Sequence, residues 1–212
     1  MSEPGRRRAF LLAPMLAAAA ASSPESLGLL DKLRGEPDPL ETADITVYYG
    51  QWEDIEGVKA GAEQNMLADF EHPWIGDFRH VDDIGERTEN PPAGGAHYDK
   101  WQTCMGTVYD EPIENGHAIH SLEHGAVWVT YNPDQLTDAQ VKALASDMEG
   151  RHHAMLSPYP GQTSAVIATV WGMQLFTDDP GDPAISAFTD TYAEHELTTP
   201  EPGATCDDGI TS

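Results

Sequence analysis

The segment that most constrains this chain is IHSLEHGAVWVTY at 119–131. Its second half, AVWVTY at 126–131, is a near-continuous β-branched and aromatic run, the composition of a buried strand. Its first half sets His120 and His124 four apart, with Glu123 between them, at the mouth of that strand. The order H-x-x-E-H is that of an inverted zinc-protease motif. That chemistry needs a helix long enough to put both histidines on one face, with the acid beside a metal-bound water. Gly116 and Gly125 bracket only eight residues, and the β-branched run follows at once. The expectation is a turn entering the strand. Such a turn brings His120 and His124 toward the loop NPPAGGAHYDKW, where Gly94 and Gly95 permit tight turns just ahead of His97.

The remaining elements are read from periodicity and turn chemistry. Residues 44–50 have strand composition, and 57–70 place Val58, Ala62, Met66, Leu67 and Phe70 at helical spacing. From 72 to 105, Pro73, Pro91, Pro92, Gly94 and Gly95 punctuate a long loop region of the kind that often carries function. Thr137 caps a helix with Leu136, Val141, Leu144 and Met148 on its apolar side. Residues 163–173 form a second core strand, and a final helix puts Ile185, Phe188 and Tyr192 on one face. Strands and helices mix without regular βαβ alternation. The expected class is therefore α+β, a compact single domain with a small central sheet, flanking helices and a long functional loop region.

Charge narrows the functions open to such a domain. Eleven Lys and Arg face 36 Asp and Glu, a formal charge of −25. That surface repels nucleic acid and anionic membranes, so a nucleic-acid partner is excluded. A hydrophobic share of 40% is too high for a disordered acidic chain. Lysine occurs only at 32, 59, 100 and 142. An acid-rich, lysine-poor surface suits a halophilic protein, because counter-ions in high salt screen its self-repulsion.

Export is the second expectation. Arg6, Arg7 and Arg8 precede an uncharged stretch, 9–21, shorter than the about 20 residues of a spanning helix and rich in small cleavage-site residues. Arg7-Arg8-Ala9-Phe10-Leu11 resembles the twin-arginine export motif. The resulting organisation is a twin-arginine-type signal peptide at 1–21, a polar linker at 22–43, the domain at 44–206 and a tail at 207–212. The protein would be extracytoplasmic, at the cell surface or secreted, or tethered by an uncleaved signal segment. Cys104 and Cys206 fit an oxidising compartment, and their pairing would close a loop of about 100 residues. A free thiol pair, or one metal ligand and a bystander, are the other readings.

The nine histidines carry the chemistry. Taken singly, His72, His152, His153 and His195 read as surface or satisfied core residues. His97, His120 and His124 form a candidate metal site, which Met155 or Met173 could complete. Thioethers beside imidazoles favour copper, with zinc as the alternative. Glu123 would orient a ligand through its free ring nitrogen.

PPAGGAHYDKW, GTVYDEPI and IHSLEHGAVWVTYNP, in that order, resemble a family of exported proteins known as domain of unknown function 3105. The likeness extends over roughly 79–206. It implies an exported, often membrane-tethered domain with no established reaction. His97, His120, Glu123 and His124 match its motif positions and His80 matches a preceding His, which the resemblance implies as a support behind the metal ligands, beside Glu123, whereas His117 has no counterpart. Gly94-Gly95 stands where the family tends to have Ser-Gly, which removes a hydroxyl near His97. The function expected is extracytoplasmic metal binding, storage or delivery, with the metal ion and a membrane-bound or extracytoplasmic metal acceptor as partners. Two rivals remain: a metal-dependent hydrolase with Glu123 as general base, and a structural or interaction module without metal.

Overall fold

A computed structural model of the chain describes residues 38–48, 76–86, 90–196 and 198–212. The signal peptide expected at 1–21, most of the expected linker and the helix expected at 57–70 lie outside the described residues. Six strands form one sheet: β1 (Asp44–Val47), β2 (Met105–Val108), β3 (Val127–Tyr131), β4 (Ala154–Pro158), β5 (Val166–Val170) and β6 (Met173–Thr177). Three helices accompany them: α1 (Asn115–Glu123), α2 (Asp138–Met148) and α3 (Pro183–Tyr192). The spatial order is β1-β6-β5-β3-β4-β2. β3, β4 and β2 run parallel, while β5, β6 and β1 add antiparallel partners. The domain is α+β, with a mixed central sheet.

The buried run after Gly125 is β3, the strand between β5 and β4, and all five of its residues are buried. Two parallel crossovers start and end on it. From β2 through α1 to β3 the chain moves one way along the sheet, and from β3 through α2 to β4 it moves back. Crossovers share one hand, so opposite directions send the two helices to opposite faces. Packing follows that rule. Ala118, Ile119 and Leu122 of α1 cluster with Trp128 and Met155, while Leu144 and Met148 of α2 cluster with Val129 and Leu156. α2 begins with the capping box of Thr137 and Gln140. α3 joins the α2 face through Ile185, Phe188 and Tyr192.

Several local expectations are corrected. The segment before β3 is an α-helix of nine residues rather than a turn. Residues 163–173 divide into β5 and the start of β6, which form a hairpin turning at Trp171-Gly172, where Gly172 takes φ +76°. β2 and β4 were not expected as strands: β4 (AMLSP) is buried throughout and has no alternation to read. Within the stretch expected as linker, Asp38 caps a short 3-10 turn at Pro39–Glu41 and Leu40 joins the core. The tail is laced to the 101–103 segment, with Ile210 accepting from Thr103 N at 2.9 Å and donating to Trp101 O at 2.9 Å. Cys104 and Cys206 form a disulfide, their Cα atoms 4.9 Å apart. No helix among the described residues is long and apolar enough to cross a membrane.

Candidate metal centre

The site lies on the α1 face of the sheet. His120 and Glu123 are three apart on α1 and therefore share one side of the helix. His124 is the residue that ends it, and Gly125 follows at φ +89°. A side chain at 125 would meet Thr199 Oγ1 at 2.7 Å, so glycine both terminates the helix and admits the C-terminal loop. His97 arrives from the loop containing Gly94, which lies flat against Trp171: a Cβ there would stand 3.0 Å from the indole. His80 and His97 form a one-residue bridge, with Val81 N donating to His97 O at 2.7 Å and His97 N to Arg79 O at 3.1 Å.

These elements bring four side chains together. One ligand atom each from His80, His97, His120 and Glu123 lies within 4.8 Å of every other. His97, His120 and Glu123 are buried, and His80 is exposed. Ligands about 2.0–2.2 Å from one ion lie slightly closer together than this, so side-chain shifts of about an ångström would close the shell.

Hydrogen bonding sets the ring orientations. His97 Nδ1 donates to Gly95 O at 2.9 Å, and His120 Nδ1 donates to Tyr98 O at 2.7 Å. A carbonyl can only accept, so the neutral rings carry their proton on Nδ1 and leave Nε2 as a lone pair. Backbone carbonyls fix metal-binding imidazoles in this way. His97 Nε2 lies 2.9 Å from Glu123 Oε2, yet that buried nitrogen has no hydrogen bond. With the proton held on Nδ1, Nε2 and the carboxylate oxygen are both acceptors, so only a proton or a cation between them can satisfy the pair. Burial pushes His120 down to about 4, with neighbouring His124 and His97 adding to the effect, so its ring is neutral at pH 7 and needs no deprotonation to bind a metal.

The other expected ligands are placed elsewhere. His124 packs against His120, with ring centroids 4.6 Å apart, but its Nδ1 donates to Thr205 O at 2.7 Å and its Nε2 stands 3.9 Å from Glu201 Oε2. It is not one of the four converging residues. Burial lowers its basicity too. Met155 is buried in the apolar cluster of the α1 face, and Met173 in the cluster of the opposite face. The two thioethers are on opposite sides of the sheet and pack as core. His80 and Glu123, expected to act behind the ligands, converge with them. The i, i+3 spacing of His120 and Glu123 on a helix would have signalled the acid. No sequence signal pairs His80 with His97, because their bridge joins two irregular segments.

A family model described as "Protein of unknown function (DUF3105)" matches residues 83–208, more than half of the chain. The matched range contains His97, His120, Glu123 and both cysteines and begins just after His80. No curated protein and no solved structure matches the chain.

Proposed function

The chain belongs to the DUF3105 family, and from the geometry of its cluster we propose that it is an exported protein binding one divalent transition metal through His80, His97, His120 and Glu123. Its role is metal binding, storage or delivery to an extracytoplasmic or membrane-bound acceptor. The observation that carries this reading is the buried Nε2 of His97, which makes no hydrogen bond although the buried Glu123 carboxylate stands 2.9 Å away. An unpaired buried polar atom is costly, and a shared cation would satisfy both groups. Three imidazoles and a carboxylate suit zinc. Copper stays the competing ion, since it outranks zinc at nitrogen sites, although no thioether supports it here. The disulfide and the basic, then apolar residues 6–21 support export. Glu123 serves better as a ligand than as a general base, because it is held among the histidines; this weighs against hydrolysis.

A specific feature favours the module without metal. Each of these rings also ties a loop carbonyl, His97 to Gly95, His120 to Tyr98 and His124 to Thr205. Metal analysis of untagged protein after exposure to zinc or copper and gel filtration separates the two. One ion per chain, lost on His97→Ala, is expected. A protein that retains none is the structural module.

A further inference from the structure

The four converging side chains are not held alike. His97 and His120 are buried, and each ring is fixed through Nδ1, by the carbonyls of Gly95 and Tyr98. Glu123 is buried at the end of α1, and its own carbonyl accepts from Glu201 N of the C-terminal loop at 3.0 Å. His80 is exposed, and no hydrogen bond among the described residues holds its ring. That ring rests on those of His97 and His120, with centroids 5.0 and 4.8 Å away. Its backbone meets the His97 loop through a one-residue bridge. Two residues earlier, the half-exposed Phe78 stacks on Trp171, with centroids 5.2 Å apart and planes 14° from parallel. Trp171 in turn stands edge-on to His97 at 6.0 Å. On its outer side His80 borders a solvent-open cleft of about 410 Å³ beside Tyr98 and His117.

We propose that His80 is the exchangeable ligand of the metal site: it closes the fourth position over an ion that His97, His120 and Glu123 retain, and Phe78 on Trp171 latches it shut. The inference rests on reading the cluster as a metal site. Two imidazoles and a carboxylate are by themselves a sufficient ligand set, with the fourth position left to water or an incoming group. Two observations single out His80 for that position. It is the exposed donor beside three buried ones, and its ring lacks the carbonyl anchor that fixes His97 and His120. In the exchange, the bond from His80 to the ion breaks as a bond from an incoming lone pair forms. No electron moves, and neutral donors release no proton. A formal charge of −25 repels anionic donors, so the acceptor that takes the ion presents a neutral imidazole rather than a carboxylate or thiolate.

Cobalt(II), whose absorption reports its ligands, tests this on the full chain, loaded and then mixed with excess EDTA by stopped flow. Free imidazole stands in for the acceptor's side chain. Wild type should hold one cobalt and release it slowly. His80→Gly should still hold one at saturating metal but release it at least about tenfold faster, the lower range for losing even a supporting residue. Imidazole should fill the vacated position in that variant, returning the wild-type spectrum and slowing release. Phe78→Ala should keep the wild-type spectrum and release about 2- to 10-fold faster, the weight of one aromatic pair. His97→Gly should hold no cobalt, with or without imidazole. If His80→Gly also holds none, or releases at the wild-type rate with an unchanged spectrum, the exchange role is overturned and the metal site stands. A wild-type rate in Phe78→Ala overturns the latch. Wild type that binds no cobalt, zinc or copper overturns the metal site itself.

Discussion

His97 Nε2 and Glu123 Oε2 lie 2.9 Å apart in the core without a hydrogen bond between them. If a metal normally stands between the two groups, Glu123→Gln should have opposite effects on binding and on stability. Metal affinity should fall at least about 100-fold, the upper range for loss of a supporting residue, because a ligand itself is removed. The metal-free variant should be as stable as wild type or more so, by about 1 kcal/mol, since a Gln amide can donate to the His97 lone pair. Calorimetric titration and chelated thermal melts check both arms. Metal-free destabilisation of about 3–5 kcal/mol would instead identify a buried ion pair broken on one side.

The depressed basicity of His120 sets an acid limit on the metal-free fold. Its folded value of about 4 lies below an ordinary value of 6.5. Between those limits the unfolded chain binds more protons, so stability is full above pH 6.5 and is lost as pH falls toward 4. His124, also lowered by burial, adds in the same direction. His120→Asn keeps a donor for the Tyr98 carbonyl but cannot titrate. Its unfolding free energy should vary less between pH 7 and 4.5, by about 1–3 kcal/mol. A pH profile parallel to wild type would assign the acid sensitivity to other groups.

What was legible follows from which interactions are local. β3 could be read because an uninterrupted β-branched run has few other uses, and α2 because Thr137 and Gln140 form its cap within four residues. His97, His120 and Glu123 were visible as chemistry-bearing residues beside tight glycines. Their division of labour was not. That His120 and Glu123 share one side depends on 115–123 coiling into a helix, and the flanking glycines suggested that it does not. Gly116, in the first turn of that helix, packs closely against Tyr98, a contact across the site that no local pattern in the sequence announces. Met155 and Met173 follow the same lesson. They lie on separate strands, β4 and β6, point into the clusters on opposite sheet faces and become core.

That Gly116 contact can be broken. A Cβ at 116 would stand 2.4 Å from Tyr98 Cδ2 and 2.6 Å from Cε2. Tyr98 N also donates to Gly116 O at 3.2 Å, and the Tyr98 carbonyl holds His120. Alanine favours a helix by up to about 1 kcal/mol over glycine, but overpacking of this kind costs about 1–3 kcal/mol. Gly116→Ala should therefore lower the melting temperature and weaken metal binding together, because the displaced 97–98 segment carries both His97 and the His120 anchor. Adding Tyr98→Ala, which removes the ring, should recover part of both losses. Unchanged metal affinity in Gly116→Ala would mean that the 97–98 segment does not position the ligands.

The last prediction concerns salt. A formal charge of −25 on 212 residues crowds carboxylates at low ionic strength. Raising salt shortens the screening distance from about 10 Å at 0.1 M to about 3 Å at 1 M, so repulsion between neighbouring acids falls steeply. The metal-free domain should consequently melt higher in molar KCl than in dilute buffer. Metal should also raise the melting temperature, but at micromolar concentration and by occupying a site whose donors are mostly buried and therefore little screened. Melting against KCl, with and without zinc, separates the two contributions: two curves offset by a constant are expected. A flat KCl series in the metal-free protein would remove the high-salt adaptation and leave the acidity as a solubility feature.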